Sequence, residues 1–169
     1  MKELFLDANA HIPINSSALK TFTAFNSSNA GHGHALSPSC IGQKASLVIE
    51  ESRSKFAKLI GAKSANQIIF TAGCTQACEW GMSILSNLTP NTDEVTISPM
   101  EHPAVSQAAE KYFGKINKLN VSNEGILDYS DAHDKVVCIH MQSEIATIQD
   151  LKQIKAKYIF SDMSQSLGK

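Results

Sequence analysis

The apolar residues of this chain are gathered into strand-sized runs, and helix-length amphipathic stretches separate the runs. Residues 67–71 (QIIFT), 94–98 (EVTIS), 116–121, 135–140 (KVVCIH) and 158–161 (YIFS) read as strands, with QIIFT buried. Residues 73–88 and 101–113 read as helices, and 149–154 as a short one. Pro103 falls in the first turn of its helix, where the missing N–H costs little. Strands alternating with helices predict an α/β fold, a three-layer α/β/α arrangement with a mainly parallel sheet and right-handed crossovers.

Upstream of the alternation the character changes. Residues 4–14 read as a short extended arm ending after Pro13, and 26–39 (NSSNAGHGHALSPS) as a loop rich in glycine, serine, asparagine and proline. A helix over 40–60 follows, with Ala45, Ile49, Ser52, Phe56 and Leu59 on one face, Glu50, Arg53 and Lys58 mainly off it, and Gly61 placed to end it. The domain organisation read from this is an arm and loop over 1–40 and a sheet-bearing portion over 41–169.

Composition narrows the function. Of the 169 residues 43% are hydrophobic and 18% charged, which supports a packed core and argues against disorder. With 15 basic and 16 acidic residues and no basic patch, nucleic acid is not an expected partner. No apolar run is long enough to span a bilayer, and MKELFLDANA lacks a signal peptide's apolar core, so the expectation is a cytoplasmic protein that does not engage a membrane. Cys40, Cys74, Cys78 and Cys138 then read as reduced thiols. Cys74 and Cys78 are four apart, not three, and no second cluster completes a zinc pattern, so small buried side chains are the favoured reading and no metal is expected. His32 and His34, flanking Gly33, read as part of a polar loop rather than a ligand pair. The chain lacks GxGxxG and GxxxxGK[ST], which counts against a generic nucleotide-binding domain.

Ligands of parallel sheets bind at the strands' carboxyl ends. After QIIFT come Ala72, Gly73, Cys74 and Thr75, a turn that can hold a phosphate at a helix start or simply cap that helix. After EVTIS comes His102, which can stack on a ring and move protons, or merely begin a helix. After YIFS comes Asp162, followed by Ser164 and Gln165. A carboxylate there can pair with a protonated ring nitrogen or cap the next turn.

These segments, in this order and spacing, resemble the NifS/IscS cysteine desulfurases of the class V aminotransferase superfamily. FLDANAHIP (5–13) is similar to the family's LDNNATTP, and IIFTAGCTQA (68–77) to IIFTSGATEA. IEESRSKFAKLIGA (49–62) continues the match. SPMEHPAVSQAAE (98–110) resembles TEIEHPAVL, HMQSEIATIQ (140–149) resembles HANNEIGTIQ, and SDMSQSLGK (161–169) resembles HVDAVQALGK. The resemblance implies part of the large domain of a fold type I enzyme dependent on pyridoxal 5'-phosphate (PLP). It implies that Thr75 and the backbone at Cys74 bind the PLP phosphate. His102 would stack on the ring and act catalytically, Asp162 would pair with the pyridine nitrogen, and Gln165 would bond the phenolic oxygen. Ser143 stands where the family has an asparagine that orients cofactor or substrate. Other departures are Cys74 in place of alanine, Ser161 in place of histidine, and Ser39 in place of the histidine of the glycine-rich loop.

The implied activity is removal of sulfur from L-cysteine, giving L-alanine and a persulfide for iron–sulfur cluster biogenesis. The family's Schiff-base lysine, substrate-binding arginine, persulfide cysteine and small domain correspond to positions beyond Lys169, which itself matches the LGK segment. The chain is therefore expected to be inactive on its own. The alternative is a non-catalytic remnant or interaction module. A homodimer, or pairing with a partner desulfurase chain carrying the missing half, is expected by resemblance.

Overall fold

The computed structural model describes residues 12–88, 93–132, 135–139 (backbone) and 147–168. The chain divides into two compact units, Met1–Phe70 and Thr71–Lys169. The arm expected over 4–14 lies outside the described residues up to 11.

The first unit is helical. α1 (Ser16–Asn26), which the hydrophobic pattern did not announce, starts where the Asn15 side chain accepts the Ser17 N–H at 2.8 Å. None of its residues is buried, and that explains the weak signal. The expected loop follows, with a 3-10 turn over Asn29–His32. α2 (Cys40–Ile60) has the expected bounds. Ser39 caps its start, and so the boundary drawn at residue 40 coincides with a helix cap inside the first unit. Gly61, at φ 72°, closes α2 in a Schellman motif, with Ala62 N–H donating to Ala57 O at 2.9 Å.

The face of α2 differs from expectation. Gly42, Ala45 and Ala57 are buried and Phe56 and Arg53 half-buried, whereas Ile49 and Ser52 are exposed and Leu59 is 76% exposed. Small residues win the inner face because the loop runs against it: a Cβ at Gly42 would lie 2.5 Å from the Ser37 carbonyl oxygen. Arg53 turns inward for a specific partner. Its guanidinium donates to the Ile68 carbonyl and sits 5.0 Å from the Phe70 ring centroid. The buried strand expected over 67–71 is thereby corrected. The segment pairs with no strand among the described residues. Ile68 is extended and buried, but Ile69 and Phe70 are 58% and 49% exposed. An extended run becomes a strand only where a ladder partner exists.

The second unit carries the sheet. Its elements are α3 (Cys74–Leu88), β1 (Glu94–Ile97), α4 (Pro103–Tyr112), β2 (Lys115–Lys118), β3 (Asn120–Val121), β4 (Leu127–Asp128), β5 (Lys135–Ile139) and β6 (Tyr158–Asp162). Four strands lie in the order β2-β1-β5-β6, every pair parallel. The strand expected over 116–121 is two: β2 joins the sheet, while β3 leaves it to form an antiparallel hairpin with β4. The helix expected over 149–154 is a single 3-10 turn, Leu151–Gln153. α3 and α4 pack together over one face, burying Cys78, Met82, Leu85, Val95, Ile97, Val105 and Phe113. α3 crosses β6 closely at Gly81, where a Cβ would meet the Phe160 ring at 2.1 Å. Among the described residues no helix is long and apolar enough to cross a membrane.

A second, smaller core of Leu119, Leu127 and Ile154 is held by one polar side chain. Gln149, 2% exposed, accepts the Leu127 N–H at 3.0 Å and donates to the Gly125 carbonyl at 2.7 Å. Gln149→Leu leaves both backbone groups buried without partners, and a loss of about 2–3 kcal/mol in urea unfolding is expected. An unchanged midpoint would mean that the hairpin does not depend on this clamp.

Candidate functional site

Because all four strands are parallel, the exits of β1 and β6 open on the same edge of the sheet, with β5 between them. Asp162 is the last residue of β6, paired in register with Ile139, one position further into the strand than expected. It is 8% exposed, and its Oδ1 accepts the Ser164 N–H at 2.9 Å. The Ser164 hydroxyl lies 3.3 Å from Cys74 Sγ, and Cys74 Sγ lies 3.7 Å from Cys78 Sγ. The exit of β6 therefore meets the start of α3.

Cys78 reports how closely these elements converge. Burial, its hydrogen bond with Cys74 and the nearby charges of Asp162 and Glu101 push its thiol from 9.0 up to about 12. Glu101 belongs to the exit of β1, so both strand exits act on one side chain of α3. The consequence for stability has a definite sign. A thiol with a raised folded-state pKa contributes stability that is present below 9 and lost as pH rises toward 12. Stability is expected to fall above pH 9 by at most about 1.4 kcal/mol per pH unit, and Cys78→Ala to flatten that decline. Thermal melts of both proteins between pH 8 and 11 provide the measurement, and parallel declines would contradict it.

Open space borders the start of α3. Its preceding residue, Gly73, has no side chain to cap the first N–H groups, and a Cβ there would meet nothing within 4 Å. Gln76 reaches back instead to accept the Ala72 N–H at 2.8 Å. Thr75 lines an open cleft of about 480 Å³ here with Ala72, Gly73, Gln76, Glu79 and Trp80. The cleft's carboxylate is already paired: Lys111 donates to Glu79 and holds it below the usual carboxylate range.

His102 caps α4, its Nδ1 accepting the Ala104 N–H at 3.1 Å. A neutral imidazole that accepts at Nδ1 carries its proton on Nε2, leaving that nitrogen as the donor. Gln165 is half-buried in the turn after Asp162. Ser143 lies outside the described residues. Hydrogen bonds thus join Cys74 to Asp162 through Ser164, while that of His102 serves its own helix. Sequence reasoning took Cys78 for a small buried side chain, which it is, and gave neither it nor Glu101 a place in the site. The available signal was the four-residue step from Cys74 to Cys78, which puts both thiols on one helix face.

The family model for class V aminotransferases ("Aminotransferase class-V") matches residues 4–169. Among curated proteins the chain is 28% identical to the cysteine desulfurase IscS of Rickettsia bellii, over 98% of this chain and 44% of that one. It is 29% identical to IscS of Dictyoglomus turgidum, over 99% and 46%. Among solved structures, a "NifS-like protein" superposes with a TM-score of 0.78 at 23% identity, covering 92% of this chain and 47% of that one. The NifS-like protein from Rickettsia africae gives 0.77 at 21%, covering 94% and 47%. The chain spans about half the length of the relatives it matches. The parallel α/β sheet is thus the fold of the NifS-like structures, and the match along residues 4–169 shows that the chain belongs to the class V aminotransferase family.

Proposed function

We propose that this chain provides the phosphate- and ring-binding part of a PLP site in a cysteine desulfurase. The observation that carries the reading is the buried Asp162 carboxylate, fixed by Ser164 at the strand exit that meets the start of α3. The residues suit the group. The start of α3, with Gly73 in front and the Thr75 hydroxyl beside it, would offer N–H groups and a positive dipole end to a phosphate. Asp162, out of water, would hold a proton on a ring nitrogen. His102 would offer Nε2–H to the ring face or to a substrate proton. Gln165 would bond the phenolic oxygen, and Ser143 takes the asparagine's place by resemblance. Bound PLP supplies an electron sink for charge developing on an amino acid.

For the whole protein the proposed reaction is sulfur removal from L-cysteine, leaving L-alanine and passing the sulfur to a protein thiol for iron–sulfur cluster assembly. A cytoplasmic homodimer is the proposed setting. PLP titration followed by absorbance and by quenching of Trp80 fluorescence tests the site. Asp162→Asn keeps the shape and removes the charge, and at least about a tenfold loss of PLP affinity is expected. Equal affinities would sink the reading.

A second reading, a non-catalytic partner for another chain, is favoured by the edge of the sheet. Among the described residues β6 pairs only with β5, and Ile159, Met163 and Leu167 beside it are 44%, 36% and 48% exposed.

A further inference from the structure

Cys74 and Cys78 lie one turn apart on α3, and the Asp162 carboxylate reaches them from the end of β6. The two Sγ atoms and a carboxylate oxygen all lie within 4.8 Å of one another. The Sγ–Sγ separation is 3.7 Å. A tetrahedral zinc ion with Zn–S bonds of about 2.3 Å requires its two sulfurs about 3.8 Å apart. The pair therefore already stands at the edge length of that tetrahedron.

A second observation concerns the groups around the ligands. Ser164 touches two of the three: its N–H holds Asp162 Oδ1 at 2.9 Å, and its hydroxyl lies 3.3 Å from Cys74 Sγ. Such outer contacts orient metal ligands and set affinity. Cys78 is 2% and Asp162 8% exposed, whereas Cys74 is exposed, so an ion has a way in over Cys74. The ligands also sit on rigid elements, two on a helix and one at a strand end.

We propose that Cys74, Cys78 and Asp162 form a zinc site with a fourth position open to water. Binding exchanges two thiol protons for two Zn–S bonds, with no change of oxidation state. The site goes beyond the cofactor reading and shares Asp162 with it, and so zinc and PLP exclude one another.

The test uses the reduced, metal-free 169-residue chain titrated with Co²⁺. One equivalent is expected to give a thiolate-to-cobalt charge-transfer band and intense tetrahedral visible bands, both abolished by Zn²⁺. Cys74→Ala places a strong helix former at an exposed helical position, so the fold is kept. It is expected to remove the charge-transfer intensity of one sulfur and weaken binding at least tenfold. Ser164→Ala is expected to weaken binding about tenfold, and Cys40→Ser to change nothing. A wild-type chain without the charge-transfer band, or a Cys74→Ala chain that titrates like wild type, overturns the proposal. The two readings fail separately. A chain that binds PLP but gives no band retires the zinc site alone, and one that gives the band but binds no PLP retires the cofactor reading alone.

Discussion

The 169-residue chain alone is expected to release neither alanine nor sulfide from L-cysteine above the background of free PLP. The described residues that meet at Cys74, Cys78 and Asp162 include carboxylates, thiols and a hydroxyl, but no lysine amine. Among the described residues His102 is the one imidazole at the exits of β1 and β6, and its Nδ1 is committed to capping α4. A positioned proton-transfer group contributes about 10²–10⁴-fold to rate, and the covalent anchor implied by the family adds to that. Adding a polypeptide that carries the remaining half of a cysteine desulfurase should restore turnover, and His102→Gln should then reduce it by about 10²-fold or more. Turnover by the chain alone would show that another amine of this sequence takes the anchoring role.

The second large effect concerns association. The N–H and C=O groups on the outer side of β6 face no strand among the described residues, and apolar side chains flank them. Open edges of this kind recruit another chain. The protein alone is expected to elute above its monomer mass and to bind an apolar dye. Ile159→Lys, which sets a charge on the edge strand, is expected to shift it toward monomer. A monodisperse monomer with a cooperative melt and no dye binding would instead indicate a self-sufficient small protein.

What could be read from the sequence follows the range of the interactions concerned. The bounds of α2 were legible because Ser39 and Gly61 act within one turn of themselves. The parallel α/β layer was legible because strand-sized runs alternate with helices along the chain. That Asp162 stands at the carboxyl end of a strand was legible on the same ground, though it is the strand's last residue rather than the one after it. The inner face of α2 was not, since it depends on a loop pressing on Gly42 and on a carbonyl that turns Arg53 inward. The segment over 67–71 has a strand's composition, but pairing is a property of two segments, and composition describes only one. The cluster of Cys74, Cys78 and Asp162 joins one helix to a distant strand end, and no local spacing contains that distance.

The strand order also implies a sequence of assembly. β1 and β2 are joined by α4 alone, and β5 and β6 by a connection of similar length, so each pair can zip locally, whereas β5 must reach back past the hairpin to β1. Long loops close late, at the greatest entropic cost. The β5–β6 pair, and Asp162 with it, is therefore expected to join β1 and α3 last, with β6 beneath Gly81. Substitutions at this end of the molecule will shorten the lifetime of the native state far more than they slow the approach to it.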